Sequence, residues 1–246
     1  MTHINKIKNL FSNIKLSTQS AIILGAVIIA ISHVGYGYVI SLNNSNSNVT
    51  FFTGKLIDKG DYIYGDKKSE VIVIEYSDPE CPYCVKFSDT AKKIHEEYKN
   101  NVSFVYRHFP LSFHKNAFVE AKAIECAGLL GGEKSFYEYI DALYNIKYLT
   151  QNPNTGSFTP LEARGKELLA EKIGLNKDKF YSCFSSDEFD EKIENSLEDG
   201  VAAGVEGTPA TFVLLKNGNG YEVIAKIDGA RQYSFVKAAI EQALSR

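Results

Sequence analysis

Tryptophan is absent, methionine occurs once, and basic residues are not in excess: 27 Lys and Arg stand against 30 Asp and Glu, a net charge of −3. The missing Trp and the scarcity of Met exclude nothing. The missing positive charge does, because nucleic-acid binding needs a basic footprint and no stretch here interleaves Arg with aromatics. Cysteine is also scarce. Four in 246 residues are too few to staple a miniprotein, and they do not fall into two close pairs. No internal repeat recurs. An apolar content of 44% belongs to a folded globular protein, and a chain of this length buries most of its unfolded surface.

In one stretch charge is missing altogether. "AIILGAVIIAISHVGYGYVISL", residues 21–42, contains no Asp, Glu, Lys or Arg. As a helix it is long enough to cross a hydrocarbon layer about 30 Å thick. Tyr36 and Tyr38 lie in its second half, where an interfacial aromatic belt is expected. Lys6, Lys8 and Lys15 precede it, and the first acidic residue is Asp58. The positive-inside rule then puts residues 1–20 in the cytoplasm and the bulk of the chain outside the membrane. A cleaved signal peptide needs a shorter apolar region and a small-residue cleavage site, and Ser-His-Val-Gly-Tyr after Ile31 is a poor one. An uncleaved single-pass anchor in the cell membrane is the expectation. His33 has no second ionisable group beside it in the span and reads as an interfacial residue. Ile4, Ile7, Leu10, Phe11 and Ile14 recur at helical spacing, which suits either an amphipathic helix on the inner surface or a frayed tail. "NNSNSN" (43–48) has no apolar residue and opens a linker, 43–67, ahead of a domain at 68–246.

Within that domain, "SEVIVIEYSD" (69–78) is a short β-branched run ended by Asp-Pro and reads as a buried strand. Val85, Phe87, Ala91, Ile94 and Tyr98 fall at helical spacing directly after it, and "NVSFVYRHF" (101–109) is the next strand. Strand, helix, strand makes a βαβ unit. From 112 to 205 no strand is visible. "NAFVEAKAIECAGLLGG" (116–132) is helical and stops at a Gly pair. Further helices are expected over 134–146, 161–175 (with Thr159-Pro160 suiting its start), 176–186 and 187–204, with Asn176 and Asp187 as N-caps. "ATFVLLK" (210–216), the turn signal "NGNG" (217–220) and "YEVIAKI" (221–227) form a hairpin, and 231–245 is a closing helix.

The layout is α/β: βαβ, a helical insertion, then ββα, with Cys81-Pro82-Tyr83-Cys84 at the first strand–helix junction. It resembles the DsbA-like disulfide oxidoreductases of the thioredoxin fold, in their membrane-anchored branch. The pieces that carry the resemblance occur in order over roughly residues 68–245: "ECPYC", "YRHFPL", "HKNAFVEAKAIECA" and "GVEGTPATF". The resemblance implies thiol–disulfide exchange on unfolded or reduced proteins outside the cytoplasm, a redox pair at Cys81 and Cys84, and no cofactor. It also implies a membrane quinone-linked reoxidase of the DsbB or vitamin K epoxide reductase type as partner, and a cis Pro209 beside the cysteines.

Physical chemistry gives these residues roles of their own. Cys81 would sit at a helix N-terminus, where free N–H groups and the dipole favour a thiolate. Cys84, one turn on, would be the buried resolving thiol, and Pro82 suits an early helix position. Thr208, ahead of Pro209, would leave backbone groups free to pair with an extended substrate. Glu75 stands on the first strand; buried under the site it would have a raised pKa and relay a proton to Cys84, and otherwise it is a solvated strand-end charge. Tyr83 cannot stabilise the thiolate by charge as a His there would, so a weaker oxidant than a Cys-Pro-His-Cys enzyme is expected. Cys126 and Cys183 lie outside the membrane, where thiols tend to pair. A structural disulfide, worth up to about 4 kcal/mol, is expected, the alternative being two separate buried thiols.

Two readings of another class stand beside the enzyme. A zinc module would use Cys81 and Cys84 with Cys126 and Cys183, against which Pro-Tyr and the lack of a second close pair argue. A peptide-binding module would use the Thr208-Pro209 groove without redox chemistry. Haem attachment is excluded by Val85, where a His is required. Reductase or isomerase use of the same pair is the near alternative to oxidation.

Overall fold

The first four residues of β2 (Val71–Ser77) are β-branched, and both its faces are buried, as suits an interior strand. A computed structural model describes residues 49–152, 154–155, 158 and 161–246. The expected cytoplasmic segment 1–20, the anchor 21–42, residues 43–48 of the linker and the pair Thr159–Pro160 lie outside the described residues. Among the described residues, no helix is long and apolar enough to cross a membrane.

The elements run β1 (Ile63–Gly65), β2, α1 (Pro82–Tyr98), β3 (Ser103–His108), α2 (Ala117–Thr150), α3 (Ala163–Lys172), α4 (Lys177–Phe184), α5 (Asp190–Ala202), β4 (Ala210–Asn217), β5 (Gly220–Asp228) and α6 (Tyr233–Leu244). They build one sheet in the order β1-β3-β2-β4-β5. β2 and β3 are parallel across the α1 crossover, and the other neighbours are antiparallel. The βαβ and ββα halves therefore meet at β2–β4, with four helices among the described residues inserted between them.

Strand alternation sorts the core. Val71 and Val73 face α1 and α6, packing with Phe87, Ile94, Val236 and Ile240. Ile72, Ile74 and Tyr76 face the other way, onto Phe52, Phe109 and Phe212. A third cluster fills the helical insertion, and Cys81, Cys84, Val85 and Tyr106 abut it. The redox pair is thus seated where the sheet meets the insertion.

Three boundaries differ from the sequence reading. The folded unit begins at Thr50, so residues 50–67, expected as linker, are part of it. β1 pairs with β3, Ile63 opposite Val105, and Phe52 is buried edge-on to Phe212 at 5.1 Å. Arg107 fastens this segment down: its guanidinium donates to Asp61, to the Lys55 carbonyl at 2.7 Å and to Asp199 of α5 at 2.7 Å. Second, α2 is one element broken at Gly132, whose φ of +72° suits a residue without a Cβ. The Gly pair thus marks a kink between two helical arms. Third, α5 starts at Asp190, because Asp187 instead closes a turn through its carbonyl to Asp190 N. Asn176 does cap α4, its side chain accepting from Lys179 N.

Candidate active site

Cys81 is the N-cap of α1, with Pro82 at the first helical position. A proline there loses no helical hydrogen bond, and the open N–H groups of that turn face the Cys81 sulfur. The sulfur is lowered to about 6 from an ordinary 9.0. The main cause is a hydrogen bond from the Cys84 thiol; burial opposes it, and the Thr208 side chain and the backbone of Cys84 and Tyr83 assist. As a thiol, Cys81 Sγ donates to the Thr208 carbonyl at 3.3 Å. As a thiolate it faces the Thr208 hydroxyl, which is buried and has no other partner among the described residues. Thiol and thiolate therefore use different atoms of one residue. The Thr208-Pro209 peptide bond is cis, which turns the loop before β4 against the cysteines.

Cys84 is the opposite case. It is fully buried, and burial first, then its bond to Cys81, pushes its thiol well above the ordinary value. Asp78 N donates to its sulfur at 3.5 Å. Both sulfurs are free thiols here, so the arrangement is that of the reduced form: one sulfur poised as an anion, its neighbour held protonated.

Glu75 sits half-buried on β2, on the same face as Ser77 and in register with Tyr106 on β3 and Thr211 on β4. Burial pushes its carboxyl up to about 7, with the Ser77 hydroxyl pulling the other way. Tyr83, between the cysteines, is 63% exposed. Away from this centre, Cys126 on α2 and Cys183 on α4 form a disulfide with an S–S distance of 1.97 Å. That bond removes them as zinc ligands, so a four-cysteine metal site has no geometry here.

Several contacts of the site were not announced by the motifs that hold their residues. Asp78 is fully buried. It accepts from Glu80 N at 2.6 Å and Leu111 N at 2.8 Å, and lies 2.8 Å from His114 Nδ1. Glu80 in turn accepts from Asn116 N and Nδ2. This clasp explains physically why "ECPYC", "YRHFPL" and "HKNAFVEAKAIECA" occur together: the loop carrying Cys81 is tied to the entry of α2. Ser77, Tyr144 and Tyr106 form a buried hydroxyl chain with steps of 3.0 and 3.1 Å. Ser77 was reachable by counting two along the strand from Glu75. Tyr144 was not, because only the packing of the insertion brings it in.

The comparisons with known proteins agree with this fold. A family model described as thioredoxin matches residues 58–242. Among solved structures, DsbA2 of Pseudomonas aeruginosa is 25% identical, with 76% of this chain and 96% of that one covered and a TM-score of 0.57. Oxidised BdbD of Bacillus subtilis (20% identity, 80% and 99% covered, TM-score 0.64) and alpha-DsbA1 of Wolbachia pipientis (22%, 77% and 94%, 0.65) share the fold. Curated relatives include a Na(+)/H(+) antiporter NhaA 1 of Salinispora arenicola, 28% identical over 71% of this chain. The chain spans about a quarter of that relative's length, 25%, so the transport named there is not carried over.

Proposed function

Because the chain belongs to the thioredoxin family, as a DsbA-like thiol–disulfide oxidoreductase, we propose that it runs in the oxidising direction on proteins outside the cytoplasmic membrane, held there by residues 21–42. One observation carries the direction. Cys81 caps the N-terminus of α1, a seat that favours its thiolate in the reduced form, while Cys84 is fully buried and held as a thiol; stabilising the reduced form supports drawing electrons from a substrate. The Cys126–Cys183 bond supports an oxidising compartment.

A substrate thiolate attacks Cys81 Sγ of the Cys81–Cys84 disulfide, and Cys84 leaves as a thiolate that must gain a proton. A second substrate thiolate then attacks the substrate sulfur of the mixed disulfide, forming the substrate disulfide and releasing the Cys81 thiolate. Two electrons pass to the enzyme; of the two substrate protons, one ends on Cys84 and one in solvent. Glu75, poised near 7, is the proton donor for Cys84, and the Thr208-Pro209 edge pairs with the extended substrate. A membrane quinone-linked reoxidase of the DsbB or vitamin K epoxide reductase type returns the pair to the disulfide.

The protein should restore disulfides to a reduced, unfolded protein, and Cys81→Ser should abolish this. A Cys84→Ser variant should hold substrates as mixed disulfides on Cys81, and their redox state in the cell reads the direction. Trapped proteins whose cysteines are paired even without the enzyme would point to reduction or isomerisation. Stoichiometric zinc with no thiol exchange would overturn the reading.

A further inference from the structure

One carboxyl of the domain lies deep without a cation beside it. Glu75 stands at the inner end of a cavity of about 570 Å³ between β1, α1 and α2, a volume in the range of small-molecule sites. Five acidic side chains and three lysines line that cavity. Lys67 pairs with Glu133, Lys92 with Asp141 and Lys134 with Glu138, all toward the solvent side. Glu96 takes Lys99 and the Tyr64 hydroxyl. Glu75 is left over: among the described residues, no basic side chain comes within ion-pair distance of it. His95 does not supply the charge, because burial pushes it down to about 4 and its ring is neutral near pH 7. A buried carboxylate with no partner is costly, and a cation from outside would meet it.

The walls select the kind of cation. Tyr64, His95, Tyr106, Tyr137 and Tyr144 bring five rings to the cavity from β1, α1, β3 and α2. Tyr64 and Tyr137 meet edge to face at 68° with centroids 5.4 Å apart, and His95 and Tyr137 at 88° and 5.8 Å. Rings set at such angles make the corner of a box, not a flat stack. The tyrosine hydroxyls are already taken by the protein. Tyr137 donates to the Tyr62 and Phe104 carbonyls at 2.9 and 3.0 Å, Tyr64 donates to Glu96, and Tyr106 and Tyr144 bond each other at 3.1 Å. The box therefore offers aromatic surface and one carboxylate, and few free hydrogen-bonding groups. A quaternary ammonium ion matches both features: it carries the charge, lays methyl groups on aromatic rings and has no N–H to satisfy.

We propose that this cavity is an aromatic cage for a small quaternary ammonium compound, whose cation rests among Tyr64, Tyr106, Tyr137 and Tyr144 and is met by the Glu75 carboxylate. Neither cysteine, nor Tyr83, Thr208 or Pro209, lines the cavity. Such a site stands whichever way electrons run through Cys81 and Cys84.

The test is calorimetric titration of the full-length protein, in uncharged detergent at about pH 8, with choline and with its uncharged analogue in which carbon replaces the nitrogen. Choline should bind at one site, about tenfold more tightly than the analogue or better. Glu75→Gln should weaken choline about tenfold and leave the analogue unchanged, which a merely structural role would not do. Tyr64→Leu should weaken choline several-fold, while Tyr64→Phe, which keeps the ring and loses the hydroxyl, should bind as the wild type does. Ala91→Leu, which fills the cavity from α1, should abolish binding and leave the exchange rate with a peptide dithiol unchanged. Glu75→Gln keeps the side-chain shape and decides the matter if Ala91→Leu does not fold. Equal affinity for choline and its analogue, choline binding untouched by Glu75→Gln, or no saturable choline binding by the wild type would each overturn the cage. Loss of thiol exchange would not bear on it, since the titration reads binding alone.

Discussion

Cys81 and Cys84 are the same residue type one helical turn apart, and their surroundings drive their protons in opposite directions. The N-terminal turn of α1 offers its N–H groups to the first sulfur, while the insertion core closes over the second. This has a pH consequence with a definite sign. Cys81 is depressed in the folded, reduced protein, from 9.0 to about 6. The stability this contributes is complete above about pH 9 and is lost as pH falls through about 6. The oxidised protein has no thiol there and lacks the term. Urea unfolding should therefore show the reduced form gaining on the oxidised form between pH 5 and 8, by on the order of 1–2 kcal/mol after solvent screening. Titration of thiolate absorbance should give a midpoint near 6, lower still in Tyr83→His, where an imidazolium would stand beside the sulfur; equal midpoints would remove Tyr83 as a tuning residue. At this scale the pair, its spacing and Glu75 were legible, because motif and strand position announce them. Asp78 and Tyr144 were not. A buried carboxylate tied to Leu111 and His114, and a tyrosine arriving from another element, have no local signature.

Among the elements, long periodic runs were the easiest to read. α1 and α6 show apolar residues at helical spacing because each packs one face on the sheet. β1 escaped because three residues on a sheet edge carry no period, and only pairing with β3 makes them a strand. The Gly131-Gly132 signal was correct about a break and silent about the geometry, since a left-handed residue serves equally to end a helix or to bend one. The insertion depends on a crosslink as well as on packing. Cys126 and Cys183 are 57 residues apart in sequence, and closing such a loop is worth up to about 4 kcal/mol in the chain-entropy model. The double variant Cys126→Ala, Cys183→Ala should lose about 2–4 kcal/mol by urea unfolding. It should keep thiol exchange under conditions where it is folded, because neither sulfur touches the reaction.

For the whole molecule, the open expectation is place. If residues 21–42 anchor the chain with the catalytic domain outside, the full-length protein should stay with membranes through an alkaline carbonate wash. Protease added to intact spheroplasts should reach residues 50–246. A chain of residues 50–246 should be released into the soluble fraction with its thiol exchange unchanged; a soluble full-length protein would refute the anchor. The sequence by itself determined the order of strands from β2 onward and of the helices around them, apart from the kink that joins α2, and the spacing that sets Cys81 and Cys84 one turn apart at a strand–helix junction. Each depends on contacts or spacings within a few residues. Tertiary structure alone decided which residues surround the two sulfurs. Thr208 reaches Cys81 across 127 positions, Tyr144 reaches Ser77 across 67, and residues 50–67 join the fold through Arg107. Such contacts exist only when distant segments bury a common surface, and no local pattern in the chain records which segments those will be.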